Sequence, residues 1–320
     1  MRIAIVGAGA LGSLFGALLA RSGQEVWLYN RSFVQHVHAI RAQGLTLQTS
    51  TGELNIPIVA VTETKELSST VDLVGIFVKA YDTEQAIRDA LPLLGEQSWV
   101  LSLQNGIGPE EILARYLPKQ RILRGVTAQG ATLVEPGVIR WAGQGSTRFG
   151  SLVSVGPPAQ HEILQVVEVF RQAGIEAHNV ERVEPLLWEK LLINAAINPL
   201  TALFGIPNGV LLEDSALRLI LREVVSETRC IVASHGVQLS SEQAMERVEG
   251  VCRATAENLS SMLQDVQRGK RTEIDFINGV VVREGERLGI ATPLNRLLTQ
   301  LVLTRSVWKT PAGSGEQQCV

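Results

Sequence analysis

Two groups of residues in this 320-residue chain have the types and spacing that reaction chemistry needs. One is the run Trp188-Glu189-Lys190-Leu191-Leu192-Ile193-Asn194-Ala195-Ala196-Ile197-Asn198-Pro199. Lys190, Asn194 and Asn198 recur there every four residues and so share one helix face, with apolar residues between them. Burying asparagines in such company without partners costs roughly 1–3 kcal/mol each, so the stripe requires water or a polar ligand. A lysine partly withdrawn from water can donate a proton to an oxygen that gains negative charge, as a ketone oxygen does on receiving a hydride. An amphipathic helix with a wet face is the alternative that periodicity leaves open.

The other group would hold a hydride carrier. Gly7-Ala8-Gly9-Ala10-Leu11-Gly12 is GxGxxG, placed directly after the apolar run Arg2–Val6 and before a helical pattern over 13–22. In that context the first glycine makes a tight turn, the second lets backbone approach a pyrophosphate, and the third lets the helix pack closely on the strand. The helix N-terminus adds N–H donors and a positive dipole end. A second apolar run, Glu25–Tyr29, ends at Asn30-Arg31, where an NAD site would place an acid for the ribose 2′-hydroxyl. A guanidinium stands there instead and suits the 2′-phosphate of NADPH. Lys79 and Gln104-Asn105-Gly106 follow the next two strands, at the carboxyl edge where open sheets bind ligands, and taken alone each reads equally as ordinary loop chemistry.

The elements that must position these groups fall into two kinds. Strand patterns at 73–78 and 99–103 flank a helix at 83–94, which extends the opening βαβ unit into a parallel α/β sheet. Residues 45–48 and 54–61 read as a hairpin insertion, and 123–150 is rich in strand and glycine with a turn at Glu135-Pro136-Gly137. A helix at 159–173 and a strand at 176–180 close the first domain. Long helical periodicity follows at 183–204, 216–235, 241–268 and 273–288, with a last helix over Pro293–Val307. The expected architecture is α/β plus all-α: a Rossmann-type dinucleotide-binding domain over 1–181, then a helical substrate and catalytic domain over 182–320, with a frayed tail from about 310.

A net charge of −3 with no long run of either sign gives no reason to expect nucleic acid or an anionic membrane surface as partner. Gly7, Gly9, Gly12 and Gly16 interrupt the apolar opening, which therefore reads as strand and helix rather than a targeting or membrane segment. Cys230, Cys252 and Cys319 are odd in number and far apart, as expected of reduced thiols in the cytoplasm. The scattered histidines offer no metal site, and neither a serine nor a cysteine triad is apparent. Residues 260–265 and 271–275 form a further polar island that reads, on its own, as cap and turn chemistry.

Taken together, these motifs resemble the ketopantoate reductase family. The resemblance rests on GAGALG at Gly7–Gly12, Val78-Lys79, Gln104–Gly106, KLLINAAINPLTAL from Lys190, Pro207–Gly209, SSMLQD from Ser260 and RTEIDFING from Arg271. It implies NADPH-dependent reduction of 2-dehydropantoate to pantoate in pantothenate and coenzyme A biosynthesis, with Lys190 as proton donor. It further implies that Asn194, Asn198, Asn208 and Ser261 hold the substrate and that Asn105 touches both ligands. Arg31 and Lys79 would serve the phosphates, Ala131 would pass the cofactor by its backbone, and Glu273 would stand where nicotinamide and substrate meet. The substrate is then expected between the two domains. The expected partners are a small 2-keto acid and a second copy of the chain in a homodimer. Two alternatives remain: a reductase of another branched 2-keto acid, or a non-catalytic NADP(H)-sensing protein that would have no use for the Lys190 stripe.

Overall fold

The computed structural model describes residues 1–67 and 69–307, so the expectations for the tail from about 310 and for Cys319 lie outside the described residues. It divides into two compact units, Met1–Leu187 and Trp188–Val320. The first contains β1 (Arg2–Val6), α1 (Ala10–Arg21), β2 (Glu25–Tyr29), α2 (Val34–Gln43), β3 (Leu45–Thr49), β4 (Gly52–Ile56), β5 (Val59–Val61), β6 (Val71–Ile76) and α3 (Thr83–Ala90). It continues with β7 (Leu94–Ser102), α4 (Pro109–Leu113), β8 (Ile122–Thr127), β9 (Gly130–Glu135), β10 (Val138–Gly143), β11 (Thr147–Ser151), α5 (Pro157–Gln172) and β12 (Ala177–Asn179).

Eight strands form one sheet in the order β12-β11-β8-β7-β6-β1-β2-β5. All neighbouring pairs in it are parallel except β11 with β8. The central strands β1 and β6 are almost continuously apolar, as strands covered on both faces must be. One core layer joins Phe15, Leu14 and Leu18 of α1 to Phe149 and Phe170, and a second joins Val74 and Ile76 to Ile87 and Leu113. A smaller sheet, β4-β3-β10-β9, packs on α1. The expected hairpin is real only in part. Leu47 pairs antiparallel with Leu54, but Pro57 cannot donate to a ladder, and after it β5 leaves to become an edge of the large sheet beside β2.

Helix α2 was not anticipated, because its apolar pattern is thin. It is anchored by a buried histidine instead. His36 Nδ1 accepts the Gly137 backbone N–H at 2.9 Å, so the ring proton sits on Nε2, 2.9 Å from Ser13 Oγ. One neutral imidazole thereby ties α2 to α1 and to the β9–β10 turn. Burial lowers its pKa from the usual value to about 4. The folded-state pKa lies below the unfolded one, so the contribution is complete above pH 6.5 and is lost as pH falls toward 4. The stability difference between wild type and His36→Gln, measured by urea unfolding, is expected to shrink by about 2–3 kcal/mol between pH 7 and 4. A difference that stays constant over that range would refute the assignment.

The second unit is helical. It comprises α6 (Glu184–Phe204), whose first turn belongs to the first unit, α7 (Val210–Glu213), α8 (Ser215–Ala233), α9 (Ser241–Ala254), α10 (Ser261–Gln267), α11 (Asn278–Leu288) and α12 (Pro293–Val307). The compact units divide after Leu187, where Val183, Leu186 and Leu187 cluster with Val126 of β8. The single helix expected over 241–268 is two. Ser260 Oγ accepts the Leu263 N–H at 3.1 Å and caps a new start for α10. Likewise the stretch from 273 opens not as helix but as a 3₁₀ turn over Ile274–Phe276 that precedes α11. Among the described residues no helix is long and apolar enough to cross a membrane.

Candidate active site

The three glycines of the first motif do three separate jobs. Gly7 has φ +102°, and a side chain there would press on the Val78 and Phe77 backbone at 2.5 and 2.8 Å. A Cβ on Gly12 would lie 2.3 Å from the Gly7 carbonyl oxygen, so α1 can leave the strand this closely only with glycine. A Cβ on Gly9 would meet nothing within 4 Å. Gly9 is thus bare backbone facing open space at the N-cap of α1, where no side chain caps the helix and no acid occupies its first turn. An anionic pyrophosphate fits both the uncapped N–H groups and the dipole.

Beside this cradle lies a cavity of about 120 Å³ lined by residues that include Gly7, Tyr29, Asn30, Arg31, Val78, Asp82 and Asp89. Asn30 is structural: its Nδ2 donates to the Ala8 carbonyl at 3.0 Å, and its Oδ1 accepts the Ser32 and Phe33 N–H groups. Arg31 projects half-exposed, with Nη1 3.9 Å from the Asp89 carboxylate. Lys79 is half-buried at the start of a 3₁₀ turn over Ala80–Asp82.

In the loop after β7, Gln104 is committed to structure. Its Nε2 donates to the Val78 carbonyl and to Thr83 Oγ1, and its Oε1 accepts from Ser102 Oγ. Asn105 is left half-buried beside it. What holds this loop is a residue that sequence reasoning missed. Arg124 of β8 is fully buried and donates to the carbonyls of Ser102, Gln104, Gly125 and Gly106 at 2.8–3.2 Å. It is neutralised by Glu110 of α4, with Nε 3.0 Å from the carboxylate. Within a strand of Ile, Leu, Gly and Val, a lone arginine reads as a solvent-facing residue, and no local signal marks it as buried. Ala131 is a half-buried residue of β9, opposite Trp141.

In the second unit α6 carries Lys190, Asn194 and Asn198 at helical spacing, a stripe about 12 Å long at 1.5 Å per residue. Lys190 and Asn194 are half-buried and Asn198 is buried. Before Lys190 the helix is fixed by Trp188 stacked on His235, with ring centroids 3.8 Å apart, and by an ion pair from Glu189 to Arg247 of α9. Pro199, inside the helix, cannot donate to the Ala195 carbonyl four residues back. Asn278 of α11 donates in its place, Nδ2 to that oxygen at 2.9 Å, and continues through Asn295 to Glu227. The helix therefore stays registered across the proline, and Asn194 and Asn198 stay on one face.

Asn208 is positioned just as firmly. Its N–H donates to the Asn258 carbonyl, its Nδ2 to Thr255 Oγ1 at 2.9 Å, and Gly209 is held so close to Ala256 that a Cβ would sit 2.8 Å from that methyl. Yet Asn208 Oδ1 is buried and receives no hydrogen bond. A buried acceptor without a donor is uncommon in a folded protein, and a ligand hydroxyl would satisfy it. Glu273 is buried at the head of the 3₁₀ turn before α11. Of the paired serines, Ser260 is buried in capping and in a bond from Thr201 Oγ1, which leaves the exposed Ser261 outside the structural role.

The family model described as "Ketopantoate reductase PanE/ApbA" matches residues 3–154, and its C-terminal counterpart matches 182–306. The chain belongs to the ketopantoate reductase family. A 2-dehydropantoate 2-reductase of Pyrococcus horikoshii is 39% identical over 303 residues, covering 94% of this chain and 96% of that protein. One from Archaeoglobus fulgidus is 39% identical over 302 residues, with the same coverage of both chains. Among solved structures, a PanE/ApbA family ketopantoate reductase from Ralstonia eutropha superposes with a TM-score of 0.85 at 34% identity, covering 96% of this chain and 99% of that one. A D-mandelate dehydrogenase in complex with NADH and anilino(oxo)acetate superposes with a TM-score of 0.89 at 30% identity, with the same coverage. Two folds of this ketopantoate reductase family member are thus accounted for, the Rossmann-type α/β part and the helical part that follows it.

Proposed function

We propose that this chain reduces 2-dehydropantoate to pantoate with NADPH, a step of pantothenate synthesis. The observation that carries the reading is the α6 stripe of Lys190, Asn194 and Asn198, taken with the buried, undonated oxygen of Asn208. NADPH, when bound, supplies the hydride that reaches the keto carbon. Gly7, Ala8, Gly9, Ala10, Leu11 and Gly12 receive its pyrophosphate, Arg31 and Lys79 its phosphates, and Ala131 its backbone contact. Lys190 then delivers a proton to the carbonyl oxygen as that oxygen becomes an alkoxide, so ketone, hydride and proton together give the alcohol. Asn194 donates to the same oxygen and lowers the charge developing there. Asn198, Asn208 and Ser261 hold the carboxylate and hydroxyl groups, Asn105 steadies the substrate against the nicotinamide, and Glu273 accepts from a hydroxyl.

Initial rates of NADPH oxidation across a panel of 2-keto acids test the substrate, with 2-dehydropantoate expected to give the highest kcat/KM. The panel should include the keto acid of mandelate, because the likeness to D-mandelate dehydrogenase is what favours a second reading, reduction of a bulkier 2-keto acid. A higher kcat/KM for that compound would replace the substrate and leave the chemistry in place. Arg31→Ala is expected to cost roughly ten- to a hundredfold in preference for NADPH over NADH, the value of a charge-assisted hydrogen bond pair. Equal use of both cofactors by the wild type would refute the 2′-phosphate reading. A cytoplasmic homodimer belongs to the same proposal, and light scattering on the purified protein reads the assembly directly.

A further inference from the structure

The end of β2 carries no carboxylate, but the fold delivers one from another element. Asp89, near the end of α3, lines the same cavity as Gly7, Asn30 and Arg31. One of its oxygens accepts the Tyr29 hydroxyl at 2.7 Å and lies 3.9 Å from the Arg31 guanidinium, while the other accepts Gln85 Nε2 at 2.7 Å. The carboxylate is therefore fixed from two sides, and Tyr29, the last residue of β2, is itself buried. Each oxygen keeps a lone pair beyond the bond it already accepts, enough to take a ribose hydroxyl. A 2′-phosphate beside Arg31 would instead meet a like charge across a few ångströms in a half-enclosed pocket, where screening is weaker than in bulk water.

We propose that Asp89 is a specificity-determining residue of the cofactor pocket: it partly neutralises Arg31, favours a ribose with a free 2′-hydroxyl, and narrows this chain's preference for NADPH over NADH. The proposal rests on the dinucleotide reading above and deepens it. Sequence alone points the other way, since the expected position for a ribose-binding acid holds Asn30-Arg31. The acid enters from a helix surface some sixty residues later, where it reads as solvent-exposed.

Asp89→Asn removes the charge and keeps an oxygen for Tyr29. Dissociation constants of NADPH and NADH, measured by calorimetry on wild type and variant, are expected to show the ratio moving toward NADPH by roughly tenfold. Both constants sample the same folded fraction, so a merely structural loss leaves the ratio in place. Should Asp89→Asn fail to fold, Asp89→Ser provides the same comparison. An unchanged ratio overturns the proposal, and so does a shift toward NADH, which would mean that Asp89 orients Arg31 for the phosphate. Failure of the wild type to bind either cofactor would instead overturn the dinucleotide reading itself, and this proposal with it.

Discussion

Lys190→Ala is expected to lower kcat by ~10²–10⁴-fold, the usual loss on removing a general acid, while the dissociation constant for NADPH moves by less than about twofold. The split follows from position. Lys190 stands on α6 in the second unit, whereas the glycine cradle and the Arg31 cavity are built from α1, β2 and α3 in the first. One helical turn separates Lys190 from Asn194, so ammonium and amide can converge on one oxygen. A proton donor must carry its proton to act, so the loss is expected in kcat rather than in the binding of either ligand. Near-normal turnover by Lys190→Ala with NADPH binding intact would assign the proton to another donor, and the mechanism would then have to be rebuilt around it.

The parts of the candidate site with local requirements could be picked out from the sequence. In GxGxxG the close approaches are local, Gly7 against Phe77 and Val78 and Gly12 against Gly7, while Gly9 faces open space, so spacing and context together mark the motif. The α6 stripe is periodic within one helix and survives even Pro199, although the reason for its survival, Asn278 reaching Ala195 from α11, is invisible in the run itself. What stayed hidden depends on partners distant in sequence. Asp89 meets Tyr29 across sixty positions, and His36 meets Gly137 across a hundred and one, through pairing that no local period encodes. The break at 255–260 carries neither glycine nor proline, and only the cap at Ser260 could have marked it. Asn208 is singled out only through the family resemblance, since nothing in its local sequence announces an oxygen buried without a donor.

The other large effect is expected at Arg124, and it is one of stability first. Arg124→Met leaves the Glu110 carboxylate, itself largely buried, without its counter-charge, and strips donors from four carbonyls at once. Breaking a buried pair from one side typically costs about 3–5 kcal/mol, because the remaining charge is left uncompensated. Lysine is not expected to rescue it, since a single ammonium cannot reproduce a planar fork that reaches Ser102, Gln104, Gly106 and Glu110 together. Adding Glu110→Gln to Arg124→Met removes the stranded charge and should recover part of the loss, so the two substitutions are expected to be strongly non-additive in a double-mutant cycle. Two of the four carbonyls, those of Gln104 and Gly106, flank Asn105, and loosening them should raise KM for the keto acid in whatever fraction remains folded. Urea unfolding of wild type, both single variants and the pair measures the stability terms. An Arg124→Met protein within about 1 kcal/mol of wild type would mean that the loop after β7 stands without its guanidinium, and that Asn105 is positioned by Gln104 and its neighbours alone.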